Sequence, residues 1–505
     1  MTEPVVRMQG ITKRFGPVTA LDGADFELLP GEIHALLGEN GAGKTTLMNV
    51  LSGIYRPDGG TVHVDGRPVR IRSPRDAVRL GIGMVHQHFE LVGHLTALEN
   101  IVLGREGGVV LAHDRLRQEV ETLVGRFGLS VPLDQKVRAL PVGVQQKVEI
   151  LKALHRGARV LILDEPTTLL TPQEVDGLFG TIRRLVEAGL SVVFITHKIG
   201  EVLRVSDRIT VMRRGRRVAT VCRAAARAED LVTWMIGTTP PEPVRKEACG
   251  SGHVLLEVRE VSTQDARAQV GLRRCSLTVG AGEIVGIAGV AGNGQRELAG
   301  VIVGTLMPTS GDILLDGRPI TRLSIRERLR LGISFVPEDR VREGILPHLS
   351  VAENLVLGLH PVLFPSGRYE ATIARGLAQQ AIAEFRIVCP GPDAPAGTLS
   401  GGNLQKLVTA RAFLLTEQLG ARLLVALNPT RGLDVPSTEF VHRKLVEFCV
   451  RGGGVLLVSE DLDELLKLSD RIAVLDRGTV VGTFERQAFD PYAIGRLMTE
   501  GPEAA

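Results

Sequence analysis

The run Gly38-Glu39-Asn40-Gly41-Ala42-Gly43-Lys44-Thr45-Thr46 places three glycines, a lysine and two hydroxyls within nine positions. Glycines at this spacing let the backbone curl until its N–H groups face phosphate oxygens, and a helix starting behind them adds its positive end. In such a cradle Lys44 reaches the β- and γ-phosphates of a nucleoside triphosphate and the Thr45 hydroxyl ligates Mg2+. The flanks suit this: residues 33–37 read as a short buried strand and Thr45 to Leu51 as the start of a helix. A glycine-rich turn without a ligand is the plainer alternative, but the lysine, the threonine and both flanking elements argue against it.

Two carboxylates follow in the right place. Asp164-Glu165-Pro166 closes the apolar run Val160-Leu161-Ile162-Leu163, so both acids emerge at the C-terminal edge of a strand, where open α/β sheets bind their ligands. Asp164 is expected to hold a hydrated Mg2+. Glu165 is expected to polarise the attacking water, a role worth about 10²–10⁴-fold in rate. His197, after Ser191 to Thr196, is placed to contact the γ-phosphate or orient that water. Gln87, after Gly83-Met84-Val85-His86, is a candidate water and metal contact that also senses a partner protein. Phe15, upstream of the loop, is a candidate to stack on adenine, with a core aromatic as the competing reading.

The elements that must position these residues occur twice. Gly31-Glu32-Ile33 returns as Gly282-Glu283-Ile284, Asp65-Gly66-Arg67 as Asp316-Gly317-Arg318, and Ser206-Asp207-Arg208-Ile209 as Ser469-Asp470-Arg471-Ile472. Spacing that stays constant and then drifts slightly means two homologous domains with short insertions in the second. Branched apolar runs suited to buried parallel strands recur as well: Val160 to Leu163 and Ser191 to Thr196, then Leu423 to Ala426 and Val455 to Val458. Arg115 to Phe127 has helical spacing and predicts a helical insertion. Thr238-Thr239-Pro240-Pro241-Glu242-Pro243 cannot continue a helix or a central strand. The boundaries are therefore placed at 1–239 and 254–500, with a linker at 240–253.

Bulk properties narrow the class. A length of 505 residues suggests roughly two to four domains. Sixty Lys and Arg against 57 Asp and Glu leave a net charge of +3, too even for a protein that binds nucleic acid by broad phosphate neutralisation. The run Arg213-Arg214-Gly215-Arg216-Arg217 reads as a solvated turn after a strand. Five scattered cysteines without a CxxC suggest neither zinc nor disulfides and fit a reducing compartment. No apolar run is long enough to span a bilayer and the first residues lack a signal-peptide plan, so work at a membrane would require docking onto other subunits.

The order of phosphate loop, Gln87, Asp164-Glu165 and His197 resembles the ATPases of ABC transporters, over nearly the whole chain twice. His86 to Val92, Val142 to Ile150 and Pro429-Thr430-Arg431-Gly432-Leu433-Asp434-Val435 are most similar to fused ATPases of bacterial importers for nucleosides and, next, for simple sugars. The resemblance implies an α/β chain of two tandem P-loop nucleotide-binding domains, each with a mainly parallel core sheet, an antiparallel β subdomain and a helical subdomain. It also implies ATP and Mg2+ as cofactors and two integral-membrane permease subunits as partners. An extracytoplasmic substrate-binding protein would be an indirect partner, nucleic acid none, and the location the cytoplasmic face of the membrane.

The departures from that family's pattern are ordered. In the second half Gln295 stands at the lysine position, Arg296 at the hydroxyl position, Leu427-Asn428 in place of Asp164-Glu165, Glu338 for Gln87 and Glu460 for His197. That half is expected to hydrolyse poorly through its own motifs, with Glu338 and Glu460 adding negative charge near the ligand. Yet Leu399-Ser400-Gly401-Gly402-Asn403 is a nearly intact signature, whereas its first-half counterpart is Leu140-Pro141-Val142-Gly143-Val144. In this family the resemblance implies a head-to-tail sandwich, in which Ser400, Gly401, Gly402 and Asn403 face the ATP held by Lys44. One composite site is then complete and the other degenerate. Tandem ATPases of translation usually keep two complete sites and a long charged linker, and DNA-repair ATPases carry coiled-coil or zinc-bearing insertions; none of these features occurs in this chain.

Overall fold

The computed structural model describes residues 3–16, 18–87, 89–105, 113–168, 170–237, 252–264, 270–364 and 367–500. The chain divides into two compact units, Met1–Pro240 and Pro241–Ala505. Most of the linker expected at 240–253 lies outside the described residues.

In the first unit a six-stranded sheet runs in the order Arg216–Cys222, Arg208–Arg213, Ile33–Leu37, Ser191–Thr196, Val160–Asp164, Ile82–Val85. Its strands are parallel except the first, which pairs antiparallel with its neighbour. The three central strands are buried at every residue, which is why they read as unbroken apolar runs instead of alternating ones. Their side chains nevertheless divide by parity. Leu36, Ile162, Val193 and Ile195 pack with Leu47, Met48 and Leu51 of the helix Lys44–Leu51. Leu161, Leu163, Val192 and Phe194 pack with Ile182 and Leu185 of the helix Pro172–Glu187.

A second, antiparallel sheet has the order Val18–Leu28, Val6–Phe15, Gly59–Val64, Arg67–Val69. The helices Ala97–Val102, His113–Phe127 and Val142–His155 form the helical part. Its first helix opens with a reciprocal cap between Thr96 and Glu99. Buried Asn100 then fastens the preceding loop, its Oδ1 accepting from Val92 N at 2.8 Å and its Nδ2 donating to Val92 O at 3.1 Å. The basic run at 213–217 is the turn of a hairpin, with Arg214 and Gly215 at positive φ, and Arg216 and Arg217 pair with Asp22 and Asp25.

The second unit repeats this plan. Its six-stranded sheet runs Ile333–Val336, Leu423–Leu427, Gly454–Val458, Ile284–Ala288, Arg471–Asp476, Thr479–Glu485, again parallel except at the last strand. Even the loop fastener recurs: Asn354 holds Leu346 N and O at 2.8 and 2.9 Å behind a Ser350–Glu353 cap. Among the described residues no helix is long and apolar enough to cross a membrane.

Arg328 is a feature of the second unit that its sequence conceals. It is fully buried and donates to the carbonyls of Val301, Ile302, Thr321 and Leu323. Two of these are orphan carbonyls at the end of the helix Gln295–Val303, where a cation is also favoured by the helix dipole. Arg328→Met fills the volume but leaves four carbonyls unpaired, and is expected to cost about 3 kcal/mol. Urea denaturation checks this; an unchanged midpoint for the second-unit transition would show that the carbonyls find other partners.

Candidate functional site

Four adjacent parallel strands of the first unit deliver the candidate residues at their C-terminal ends. The loop 38–43 follows Leu37, His197 follows Thr196, Asp164-Glu165 end the strand from Val160, and Gln87 follows the strand ending at Val85. The sheet itself therefore gathers residues that are far apart in sequence.

The loop is tightly curled, with Gly41 and Gly43 at φ 82° and 99°. A Cβ on Gly38 would lie 2.5 Å from Met212 O, and one on Gly43 2.8 Å from Ala20 O, so both positions exclude any side chain. Lys44 is buried, and its Nζ donates to Gly38 O at 2.7 Å and Glu39 O at 3.0 Å. Burial pulls its ammonium below the usual lysine range, with Glu165, Asp164 and Glu39 opposing. Asn40 is exposed at the tip, Ala42 is buried beneath it, and Thr46 sits half-buried in the first helical turn.

Asp164 is buried, with Thr45 Oγ1 donating to its Oδ1 at 3.3 Å. Burial pushes its carboxyl up, against the Thr45 bond, as expected of an acid prepared for a cation. Glu165 stands at φ 44°, a left-handed turn directly after the strand, and its N–H is fixed on Ile195 O at 3.0 Å. Its carboxylate receives Gln87 Nε2 at 3.0 Å and lies 3.1 Å from His197 Nδ1. Burial works against its ionisation, but the His197 bond and charge, with Lys44 and Lys198, hold its carboxyl below the usual range. Glu165 is thus an ionised acceptor oriented from two sides, the state a water-activating base requires.

Among the described residues no cluster of three His, Cys, Asp or Glu side chains could hold a metal unaided. The pair of Thr45 hydroxyl and Asp164 carboxylate fits Mg2+, which takes few protein oxygens and completes its shell with phosphate and water. Phe15 is 41% exposed in edge contact with Tyr55, their centroids 5.1 Å apart, so it is not a core aromatic.

The corresponding place in the second unit has the same backbone and different chemistry. Gly292 and Gly294 keep positive φ, and Asn428 repeats the left-handed turn at φ 46° with its N–H on Val458 O at 2.8 Å. Gln295 Nε2 turns back onto Val290 O at 2.9 Å. The excess negative charge expected from Glu338 and Glu460 does not arise. Glu338 pairs with Arg296 and, at 3.3 Å, with Arg431, which also reaches Glu460 at 3.9 Å. Arg296 thus occupies the hydroxyl position as an ion-pair partner, in a cavity of about 330 Å³ whose lining lacks lysine and aspartate.

Ser400 stands at the N-cap position of the helix Gly401–Leu419 without a side-chain capping bond, its Oγ accepting from Asn403 Nδ2 at 2.9 Å. The sequence leaves unnoticed that Arg340 lies against this turn: a Cβ on Gly401 would fall 2.8 Å from its Nη2. In the first unit the equivalent helix starts at Val142 behind Pro141, and Glu174 lies against Gly143.

The pattern described as ABC transporter matches residues 21–168 and 272–421. A nucleoside import ATP-binding protein of Lactococcus lactis subsp. cremoris is 42% identical over 99% of both chains. A ribose import ATP-binding protein of Rubrobacter xylanophilus is 44% identical, also over 99% of both. A guanosine import ATP-binding protein of Bacillus subtilis is 41% identical over 98% of this chain and 97% of its own.

Proposed function

This chain belongs to the ABC transporter family, and we propose that within it the chain is the ATP-hydrolysing, energy-coupling subunit of an importer for nucleosides. Its activity is hydrolysis of ATP. The observation that carries the reading is the Glu165 carboxyl group, held by Gln87 and His197 beside the Lys44 loop in one unit, against ion-paired replacements in the other. Lys44 and the loop N–H groups grip the phosphates. Thr45, Asp164 and Gln87 would hold Mg2+, which supplies charge neutralisation at the β- and γ-phosphates. Glu165 takes the proton of the attacking water, and His197 fixes the carboxylate and faces the γ-phosphate; Phe15 stacks on adenine.

Ser400, Gly401, Gly402 and Asn403 complete this same ATP from the other unit, so that binding draws the units together and hydrolysis releases them. The stroke passes to two integral-membrane permeases fed by an extracytoplasmic binding protein. The chain acts from the cytoplasmic face as a peripheral subunit and uses no nucleic acid.

A sugar such as ribose is the second reading, favoured by the 44% identity to a ribose import protein. Reconstitution with the permeases in vesicles, scoring ATPase stimulation across nucleosides and sugars, decides between them. Stimulation by sugars alone would overturn the nucleoside reading, and no stimulation by either class would overturn both.

A further inference from the structure

Within the second unit an open cleft of about 470 Å³ separates the strands Val254–Ser262 and Cys275–Gly280 from the core strands Ile284–Ala288 and Arg471–Asp476. Val258, Leu277, Val285 and Ala473 give it an apolar floor, and Ser276, Thr278 and Thr483 bring hydroxyls. The charged groups of its lining are already paired. Arg259 Nε and Nη2 hold both oxygens of Glu257 at 2.6 and 2.7 Å. Glu260 pairs with Arg274, and Arg471 Nε meets Glu283 Oε1 at 3.0 Å. The cleft therefore carries no uncompensated charge that calls for an ionic ligand.

The corresponding place in the first unit is filled. There His34 is fully buried, its ring centroid 4.8 Å from that of Phe26. Its Nδ1 lies 3.0 Å from Glu32 Oε1 and its Nε2 2.8 Å from Thr210 Oγ1, which in turn lies 2.8 Å from Thr220 Oγ1. The repeat puts Leu277 at the position of Phe26, Val285 at that of His34, Ala473 at that of Thr210 and Thr483 at that of Thr220. Three side chains have shrunk at one spot, and all four positions line the cleft. The frame around them persists, since Arg471 and Glu283 repeat the pair of Arg208 and Glu32. Thr483 is paired across the strands with Ala473, so its hydroxyl has lost the partner that Thr220 keeps. The space left lies within the roughly 300–1,000 Å³ of small-molecule sites, which likewise combine an apolar lining with a few polar groups.

We infer that this cleft binds a nucleoside, a neutral molecule with one flat ring system and several hydroxyls. The base lies on the aliphatic floor, and the ribose hydroxyls meet those of Thr278 and Thr483. The site belongs wholly to the second unit and is distinct from the Lys44 loop of the first. The choice of a nucleoside among neutral hydroxylated rings rests on the reading of the chain as part of a nucleoside importer, which delivers that molecule to the same compartment.

Isothermal titration of the full chain with guanosine, adenosine and ribose tests this, with ADP and Mg2+ present at saturation to occupy the Lys44 loop. A purine nucleoside is expected to bind once per chain. Refilling the cleft with first-unit residues, by Leu277→Phe, Val285→His and Ala473→Thr together, is expected to abolish that signal. Thr483→Val, at the exposed mouth, is expected to weaken binding about 3- to 10-fold. No binding of either nucleoside, binding of ribose in their place, or binding that survives refilling overturns the inference. If the refilled chain fails to fold, an unchanged affinity in Thr483→Val overturns it instead. The two readings fail separately. Vesicles stimulated by sugars alone overturn the nucleoside importer, while guanosine binding lost on refilling still supports the cleft. Stimulation by nucleosides without binding to the isolated chain overturns the cleft alone.

Discussion

Glu165→Gln is expected to lower steady-state ATP turnover by about 10²–10⁴-fold while ATP still binds. The amide keeps the size of the carboxylate and can still meet Gln87 and His197, so the protein should fold as before. What disappears is the negative charge that takes a proton from water. The matched change in the second unit, Asn428→Gln, should leave turnover within a factor of two or so of the starting value. Asn428 serves there as a backbone clasp, its Oδ1 accepting from Glu460 N at 2.9 Å. Phosphate release from both variants at saturating ATP is the measurement, and comparable losses would mean that the two halves share the chemistry.

The second large effect is expected at Lys44. Its ammonium now rests on two loop carbonyls, at 2.7 and 3.0 Å, and these contacts must be exchanged for phosphate oxygens when ATP enters. Lys44→Met keeps the buried stem and removes the charge. Charge-assisted contacts to two phosphates are lost together, so kcat/KM should fall roughly 10²–10³-fold. Gln295→Met, at the same place in the other unit, removes only the bond to Val290 O and should be nearly silent in turnover. A silent Lys44→Met would contradict the phosphate role outright.

Much of this was legible before any coordinates. The lysine, the threonine and the two acids announce themselves by type and spacing, and the buried parallel strands by unbroken apolar runs. The strand read at Val160 to Leu163 runs one residue further, through Asp164. What stayed hidden depends on partners distant in sequence. Glu338 reads as a stray negative charge until Arg296 and Arg431 arrive from 42 and 93 positions away. Arg328 reads as one more surface arginine in the basic, solvated-looking stretch from Ile325 to Arg330, because nothing local reveals the four carbonyls above it. Arg340 is similarly unremarkable until the fold sets it against Gly401.

The left-handed residue that ends each catalytic-type strand has a historical consequence. Glu165 needs that uncommon backbone to meet its two neighbours, yet Asn428 retains it at nearly the same angle after the acid itself has gone. The duplicated half has therefore lost its reagents and kept its mould. Restoring function there would be a matter of exchanging side chains on a ready frame, with no change of path for the main chain.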